Sequence, residues 1–162
     1  MFTFHAYRSW LPDHKRGYVQ RGKGILSRDP EMAENYGRRA NFDRVRFSIE
    51  DCQTLLQTAD DECRRPSRRW RLHLGVGVFN HLHLIVSWEN YADAKRAKAV
   101  FHRALTVCLR DAHDAPLGQP FLARGGSVKR VRDRAHFDYL CKVYLPSHRK
   151  YGGILFEPAK SE

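Results

Sequence analysis

The sequence predicts an α+β fold in which an antiparallel sheet carries two helices on one face. Three observations support this prediction: short apolar runs typical of strands, two long stretches with apolar residues at helical spacing, and the alternation of these two kinds of element along the chain. The length of 162 residues suits one compact domain, and a hydrophobic content of 42% is enough to fill its core.

Each element is predicted from its apolar pattern and from the residues that begin or end it. Ser48, with Asp51 three residues later, can cap a long helix, and Pro30 suits the first turn of a short one. Pro12 ends the first strand, and Pro146 stops the last helix. The predicted elements are strands at 3–11 and 18–20, a short helix at 30–36, a helix at 49–63, strands at 70–78 and 82–88, a helix at 91–111, a strand or hairpin near 121–131, and a helix from 133 to about 144.

Apart from the weak strand and the short helix near the start, the order is strand, helix, strand, strand, helix, strand, helix. The first six of these match the split β-α-β arrangement of ferredoxin-like folds, to which the last helix is an addition. We therefore expect a single domain over residues 1–162, with a flexible tail from about residue 155. A fold of this kind fixes no function by itself, so the function must be sought in particular residues.

The charge of the chain predicts a nucleic-acid partner. The net charge is +11, from 29 Lys and Arg against 18 Asp and Glu. Arginine suits phosphate because its planar guanidinium binds two oxygens at once. No run approaches the ~18 apolar residues of a membrane span, and the first residues lack the pattern of a signal peptide. We expect a cytoplasmic protein with no membrane partner, associated with the nucleoid when bound to DNA.

Two histidines interrupt the apolar run NHLHLIVSW at residues 80–88. Strand residues i and i+2 point to the same face of a sheet, so His81 and His83 should lie side by side. Imidazole is a common ligand of divalent transition metals, although two histidines on a half-exposed sheet face are also an ordinary occurrence. Two imidazoles leave open positions for a third ligand, for water or for substrate oxygens, as a catalytic site requires.

The last helix offers two tyrosines as nucleophiles. Its apolar stripe contains Phe137, Leu140, Cys141 and Tyr144, whereas Tyr139 lies about 200° around the helix from Phe137. A tyrosine off the core stripe and near basic groups is a candidate nucleophile, although a surface tyrosine is the simpler interpretation of the helix alone. The sequence favours Tyr139, with Tyr144 as the alternative.

Together these segments resemble a known family. NHLHLIVSW resembles the His–hydrophobic–His motif of the HUH single-tyrosine transposases, and Tyr139 resembles the tyrosine on their C-terminal helix. The stretch 10-WLPDHKRGYV-19 resembles the opening of the REP-associated tyrosine transposase branch. The three segments are short, but their order and the spacing of about sixty residues from histidines to tyrosine fit the family.

The resemblance implies a metal-dependent enzyme that cuts and rejoins single-stranded DNA, often at hairpins, with a ferredoxin-like core. His81 and His83 would hold Mg²⁺ or Mn²⁺, and the tyrosine would form a 5′-phosphotyrosyl intermediate. The resemblance leaves open whether the protein acts as a monomer or as a homodimer.

One position departs from the family pattern. Members usually carry Gln or Asn four residues after the tyrosine as the third metal ligand, and here Tyr139 is followed at that spacing by Val143, which cannot bind a metal. Tyr144 would have His148 at the same spacing, but Pro146 interrupts the helix between them. The third ligand is therefore left open between His136, His148 and water.

Two basic groups flank the predicted site along the chain. They should contact phosphates, which positions DNA without reading its sequence. Trp10, Tyr18 and Trp70 could stack on unpaired bases or could equally pack in the core. The first basic group is Arg64, Arg65, Arg68 and Arg69; the second is Arg124, Lys129, Arg130 and Arg132.

Two other functions share part of this pattern. A domesticated relative would bind hairpin DNA or RNA with little or no cleavage, and the missing Gln or Asn is compatible with that alternative. An HUH replication-initiation nuclease would share the chemistry but would not carry the WLPDHKRG opening.

Overall fold

A computed structural model describes residues 1–15, 17–20, 22–89, 93–116 and 118–159. The strands are β1 Phe2–His5, β2 Tyr18–Gln20, β3 Gly24–Leu26, β4 Trp70–Val78, β5 His81–Trp88, β6 Ser127–Val128 and β7 Ile154–Phe156. The helices are α1 Pro30–Arg38, α2 Ile49–Arg64, α3 Ala94–Ala112 and α4 Arg134–Tyr139, and α4 continues into a π-helical turn, Leu140–Tyr144, and a 3₁₀-helix, Pro146–Tyr151.

The predicted α+β class is confirmed, with a five-stranded sheet in the order β6-β1-β5-β4-β7. All neighbouring strands in it are antiparallel. The strands β2 and β3 form a separate antiparallel pair. Since β5 lies between β1 and β4 and opposes both, these two strands run in the same direction and α2 connects them along the chain.

The sheet has an apolar core on each of its faces. On the first face, Leu82, Leu84 and Val86 of β5 pack in one cluster with residues of α2 and α3 such as Leu55 and Phe101. On the second face, Ile85 and Val76 pack in another cluster with Leu140 and Leu145 of the C-terminal segment. Side chains of β5 alternate between these faces, as the period of a strand requires.

The helix α2 begins where the sequence predicts. The side chain of Ser48 accepts a hydrogen bond from the Asp51 amide (3.0 Å), and the Asp51 carboxylate accepts one from the Ser48 amide (2.9 Å). This capping box satisfies two amides that the first turn leaves without helical partners. Gly77 of β4 then allows α2 to approach the sheet closely, because a methyl group there would lie 2.8 Å from Cβ of Cys52.

Several elements differ from the sequence prediction. The first strand ends at His5, where Ala6 forms only an isolated bridge with Leu122, because the chain turns at Arg8 with φ of 57°. The region 121–131 contributes only the two residues of β6 to the sheet. Short strands at β3 and β7 were not predicted, and β7 includes the first residues of the expected tail. The start of the predicted helix at 91–111 lies outside the described residues.

Within the described residues, no helix is long and apolar enough to span a membrane.

Replacing Gly77 by alanine should destabilise the protein. The added methyl group must push α2 away from the sheet, and overpacking of this kind costs roughly 1–3 kcal/mol. Urea denaturation of Gly77→Ala should therefore show a lower midpoint. Gly125→Ala is the matched control, because nothing lies within 4 Å of its new methyl group and Gly125 has no positive φ. Equal midpoints for Gly77→Ala and wild type would contradict this account of the packing.

Candidate metal site

The strand β5 presents His81 and His83 together on the second face of the sheet, as the sequence predicts. Their rings lie 4.7 Å apart between centroids and are nearly perpendicular. His83 is buried and His81 is half-buried. Their chain neighbours Leu82 and Leu84 point to the first face, so the strand fills a core with one set of side chains and forms a polar site with the other.

His148 of the 3₁₀-helix is the third member of the cluster. Its ring centroid lies 5.4 Å from that of His81 and 5.0 Å from that of His83. One ring nitrogen from each histidine lies within 4.8 Å of those from the other two. Nitrogens that share one tetrahedral or octahedral ion at about 2.1 Å lie about 3.0–3.4 Å apart, so the cluster would contract by up to roughly 1.5 Å to bind it. We call His81, His83 and His148 the histidine cluster.

Hydrogen bonds hold the Nδ1 atom of each ring in the cluster. His83 Nδ1 shares a bond of 2.9 Å with the Thr3 hydroxyl, and His81 Nδ1 donates to the Asn80 side-chain oxygen at 2.6 Å. His148 Nδ1 donates to the carbonyl of Tyr144 at 3.0 Å. With Nδ1 engaged, Nε2 is the atom that each ring can offer to an ion, and such outer partners orient metal-binding histidines.

The surroundings keep two rings of the cluster neutral. Burial, followed by the nearby charges of His81, His148, His5 and Lys129, lowers the pKa of His83 to about 2. Burial also lowers the pKa of His81 to about 4, with His148 and His5 contributing. A neutral imidazole has the lone pair that a metal requires, so both rings are ready to bind a cation at neutral pH.

The donor set fits a divalent transition metal. Three imidazoles with oriented Nε2 atoms suit ions such as Mn²⁺, Fe²⁺ or Zn²⁺ better than Mg²⁺, which prefers oxygen ligands. Three protein ligands also leave coordination positions for substrate oxygens or water, as catalytic sites do. The cluster therefore supports a metal site without deciding which metal occupies it.

Tyr144 lies against the histidine cluster. Its ring centroid is 5.7 Å from that of His83 and 5.1 Å from that of His148. Tyr139 is 52% exposed, and its ring stacks at 6.4 Å on that of Tyr144. Both side chains thus occupy the faces of the helix that the sequence indicates. The C-terminal segment covers the core on the second face of the sheet, and the histidines lie on that same face. The packed face of this helix is therefore the face that meets the histidines.

A change of helical winding brings Tyr144 and His148 to the same place. The α-helix α4 ends at Tyr139, the π-helical turn Leu140–Tyr144 follows, and Pro146 begins a 3₁₀-helix. Pro146 has no amide to donate and therefore ends the regular bonding pattern, but Leu145 still donates to the carbonyl of Leu140 at 3.0 Å. The chain continues as a tighter helix, which puts His148 beside Tyr144. Turns of π-helix often mark functional sites.

Other predicted residues lie apart from the cluster or have other partners. Val143 is 55% exposed and has no ligand atom. His136 is not a member of the cluster, and its Nδ1 accepts a hydrogen bond from the Arg132 amide at 3.2 Å. Of the candidates for a third ligand, His148 is thus the one that joins His81 and His83 among the described residues.

The first basic group is largely engaged in ion pairs. Arg64 pairs with Asp60 at 2.7 Å, while Arg65 and Arg68 both pair with the buried Glu62, at 2.7 and 2.9 Å. Arg68 also lies over the Trp70 ring, 4.9 Å from its centroid. These contacts give three of the four arginines a role in the fold, and they reduce the positive charge that this group can offer to DNA.

The second basic group is more exposed. Arg124, Lys129, Arg130 and Arg132 are all exposed, and none of them forms a salt bridge with a described residue. Lys129 is the member whose charge acts on His83 and contributes to its lowered pKa. The uncompensated charge therefore lies on the β6 side of the histidine cluster.

Sequence reasoning missed the residues that support the cluster. Thr3 and His5 are the cross-strand partners of His83 and His81, which only the pairing of β1 with β5 reveals. The ring of His5 lies 6.0 Å from that of His81. Asn80 directly precedes His81 in the sequence. This adjacency is the one sequence feature that could have indicated a hydrogen-bond partner for His81.

Removing His148 should weaken metal binding. His148→Ala takes away one of three ligands, so the Mn²⁺ affinity measured by calorimetry should fall by at least about tenfold. His136→Ala is the control, because it removes a neighbouring histidine outside the cluster. An equal loss in both variants, or no loss in His148→Ala, would contradict the three-histidine site.

The lowered pKa of His83 should make the metal-free protein less stable in acid. The unfolded chain has an ordinary histidine pKa of about 6.5 and binds the proton first, so the free energy of unfolding falls by up to about 1.4 kcal/mol per pH unit as pH drops below that value. Above pH 7 this group contributes no pH dependence. Urea denaturation in the presence of EDTA, repeated between pH 7 and 4.5, gives the free energy of unfolding at each pH. This free energy should fall less steeply with decreasing pH in His83→Asn than in wild type. Equal pH dependence in the two proteins would contradict the prediction.

Comparisons with protein-family models, with curated proteins and with solved structures gave no match. The case for a function therefore depends on the histidine cluster, on the tyrosine beside it and on the charge around both.

Proposed function

We propose that this protein cuts and rejoins single-stranded DNA through a covalent phosphotyrosyl link. The observation that carries the proposal is the contact of the Tyr144 ring with a cluster of three oriented imidazoles. A phenol beside a potential metal site combines a nucleophile with the means to activate a phosphate. The HUH motif and the WLPDHKRG segment support the same reaction by their resemblance to REP-associated tyrosine transposases.

The histidine cluster would hold the divalent ion. His81, His83 and His148 are its protein ligands in this proposal, with Mn²⁺ or Mg²⁺ as the ion. Such an ion, when bound, acts as a Lewis acid on a phosphate oxygen and neutralises charge that develops there. Thr3, Asn80 and the carbonyl of Tyr144 keep the three rings in place through their bonds to Nδ1.

The tyrosine would carry the covalent step. Its hydroxyl oxygen forms a bond to phosphorus and releases its proton to solvent, while the bond from phosphorus to the 3′ oxygen breaks. The products are a 5′-phosphotyrosyl protein and a strand with a 3′-hydroxyl, which takes up a proton. Attack by a 3′-hydroxyl on the phosphotyrosine reverses these changes and joins DNA without a further energy source.

The geometry favours Tyr144 as the nucleophile over Tyr139. Tyr144 is in ring contact with His83 and His148, whereas Tyr139 is in ring contact with Tyr144. The spacing of four residues from Tyr144 to His148 also matches the family spacing between nucleophile and third ligand. Tyr139 remains the alternative, since its side chain is exposed and its ring contacts that of Tyr144.

Charge supports single-stranded or hairpin DNA as the partner. The second basic group provides exposed cations near β6, and the charge of one of them, Lys129, acts on His83. Counterion release from such contacts would make binding steeply dependent on salt. In this proposal the tyrosine and all three histidines come from one copy of the chain, and the reaction does not require a homodimer.

The topology is compatible with the same assignment. The element order β1-α2-β4-β5-α3-β6 and the sheet order β6-β1-β5-β4 correspond to two split β-α-β units. We therefore propose a ferredoxin-like core of the HUH type, to which β7 adds an edge strand.

Tyr144→Phe should abolish formation of a covalent adduct, whereas Tyr139→Phe should retain it. The test incubates each protein with hairpin DNA that carries unpaired flanks and Mn²⁺, followed by a denaturing gel. Tyrosine attack leaves the 3′ part of the strand on the protein, so a 3′ label should shift and a 5′ label should not. An adduct that survives in Tyr144→Phe but is lost in Tyr139→Phe would reassign the nucleophile. If the protein binds the hairpin but forms no adduct with any of several divalent ions, the proposed enzymatic activity is overturned. That result would favour a relative that binds hairpin DNA without cleaving it.

A further inference from the structure

The WLPDHKRG segment contains an aromatic pair that the proposed reaction does not use. Trp10 is 43% exposed, and its ring stacks on that of His14 with centroids 4.0 Å apart and planes 20° from parallel. An indole supported on one side and this exposed has ring surface available for a second flat partner. Base–aromatic stacking is the interaction by which proteins bind unpaired nucleotides of any sequence.

The pair is connected to the histidine cluster by one further ring. The His5 ring lies 5.8 Å from that of Trp10 and 6.0 Å from that of His81. His5 is also the cross-strand partner of His81, so the sheet itself fixes this spacing. A DNA strand with one phosphate at the cluster would therefore pass Trp10 within the next few nucleotides.

The turn that carries Trp10 is held in place from several sides. Its backbone and side chains form hydrogen bonds to the segment 42–45 and to Phe121, and these bonds hold the backbone from which the indole projects. Such preorganisation reduces the entropy lost on binding. The bonds are Tyr7 N–H to Phe121 O at 2.8 Å, Arg8 Nη1 to Phe42 O at 3.0 Å, Arg44 Nη2 to Ser9 O at 3.1 Å and Val45 N–H to Tyr7 O at 3.1 Å.

The surrounding charge favours a nucleotide over an apolar ligand. Arg44 reaches the turn itself through its bond to Ser9, and Arg46 lies over the exposed ring of Phe79, 4.7 Å from its centroid. Phe79 immediately precedes Asn80, whose side chain orients His81. Aromatic rings interspersed with arginines on the path to a phosphate-binding cluster are the composition of a single-strand binding surface.

We propose that Trp10, supported by His14, is a stacking subsite for an unpaired nucleobase near the cleaved phosphate. This proposal rests on the proposed function for the identity of the strand, since it places single-stranded DNA at the histidine cluster. The subsite tolerates any base, because each base offers a flat face. It would position the strand, and it takes no part in bond making.

Binding of a hairpin oligonucleotide with unpaired flanks, measured in EDTA, tests the subsite without cleavage. Trp10→Ala should bind about 5- to 150-fold more weakly than wild type. Trp10→Phe should retain most of the affinity but lose the quenching of tryptophan fluorescence on binding. His14→Ala should weaken binding less than Trp10→Ala, because the indole itself remains. Circular dichroism would verify that each variant is folded.

Oligonucleotides with a single abasic position, moved stepwise along the flanks, identify the stacked base. At one position, the missing base should weaken binding to the wild-type protein by about the same factor as the Trp10→Ala substitution does. The missing base at that position should not weaken binding to Trp10→Ala any further. The subsite would be overturned if Trp10→Ala bound the oligonucleotide as tightly as wild type. It would also be overturned if each missing base weakened binding equally in both proteins. Trp10-dependent binding without any covalent adduct would overturn the proposed function alone, whereas an adduct with Trp10-independent binding would overturn the subsite alone.

Discussion

The alternation of side chains along β5 is the constraint on which the rest of this structure depends. Because successive residues of a strand face opposite sides of the sheet, the same eight residues fill one core with Leu82 and Leu84 and present His81 and His83 opposite. A shift of the register by one residue would turn the imidazoles under α2 and α3 and the leucines to the second face. The pairing with β1 prevents such a shift and also brings Thr3 and His5 to the histidines.

Packing and chemistry share the second face of the sheet. The C-terminal segment covers this face with Leu140 and Leu145, and the same segment brings Tyr144 and His148 to the cluster. A regular α-helix could not continue through Pro146, so the segment passes from α- to π- to 3₁₀-winding as it crosses the site. The interruption that appears in the sequence as the end of a helix is thus what places the third imidazole.

The distribution of charge is less uniform than a net charge of +11 implies. Acidic residues of α2 neutralise much of the first basic group, and Arg68 is held between Glu62 and Trp70. The second basic group keeps its exposed cations. A stacked tryptophan and two further arginines, Arg44 and Arg46, lie at the end of the sheet where β5 begins. Counts of arginine in a sequence cannot reveal such pairing, because it depends on contacts made after folding.

The sequence by itself determined the α+β class, the boundaries of α2, β4 and β5, and the pairing of two histidines on one face. These features depend on local periodicity and capping, which neighbouring residues specify. Only the tertiary structure decided that His148 joins His81 and His83, that Tyr144 contacts the cluster while Tyr139 lies outside it, and that Thr3 supports His83. Those contacts link residues about 60 or more positions apart in the chain or depend on an irregular helix, and periodicity carries no information about either. A tyrosine on an apolar stripe looks like a core residue until one knows that the surface it packs against contains the site.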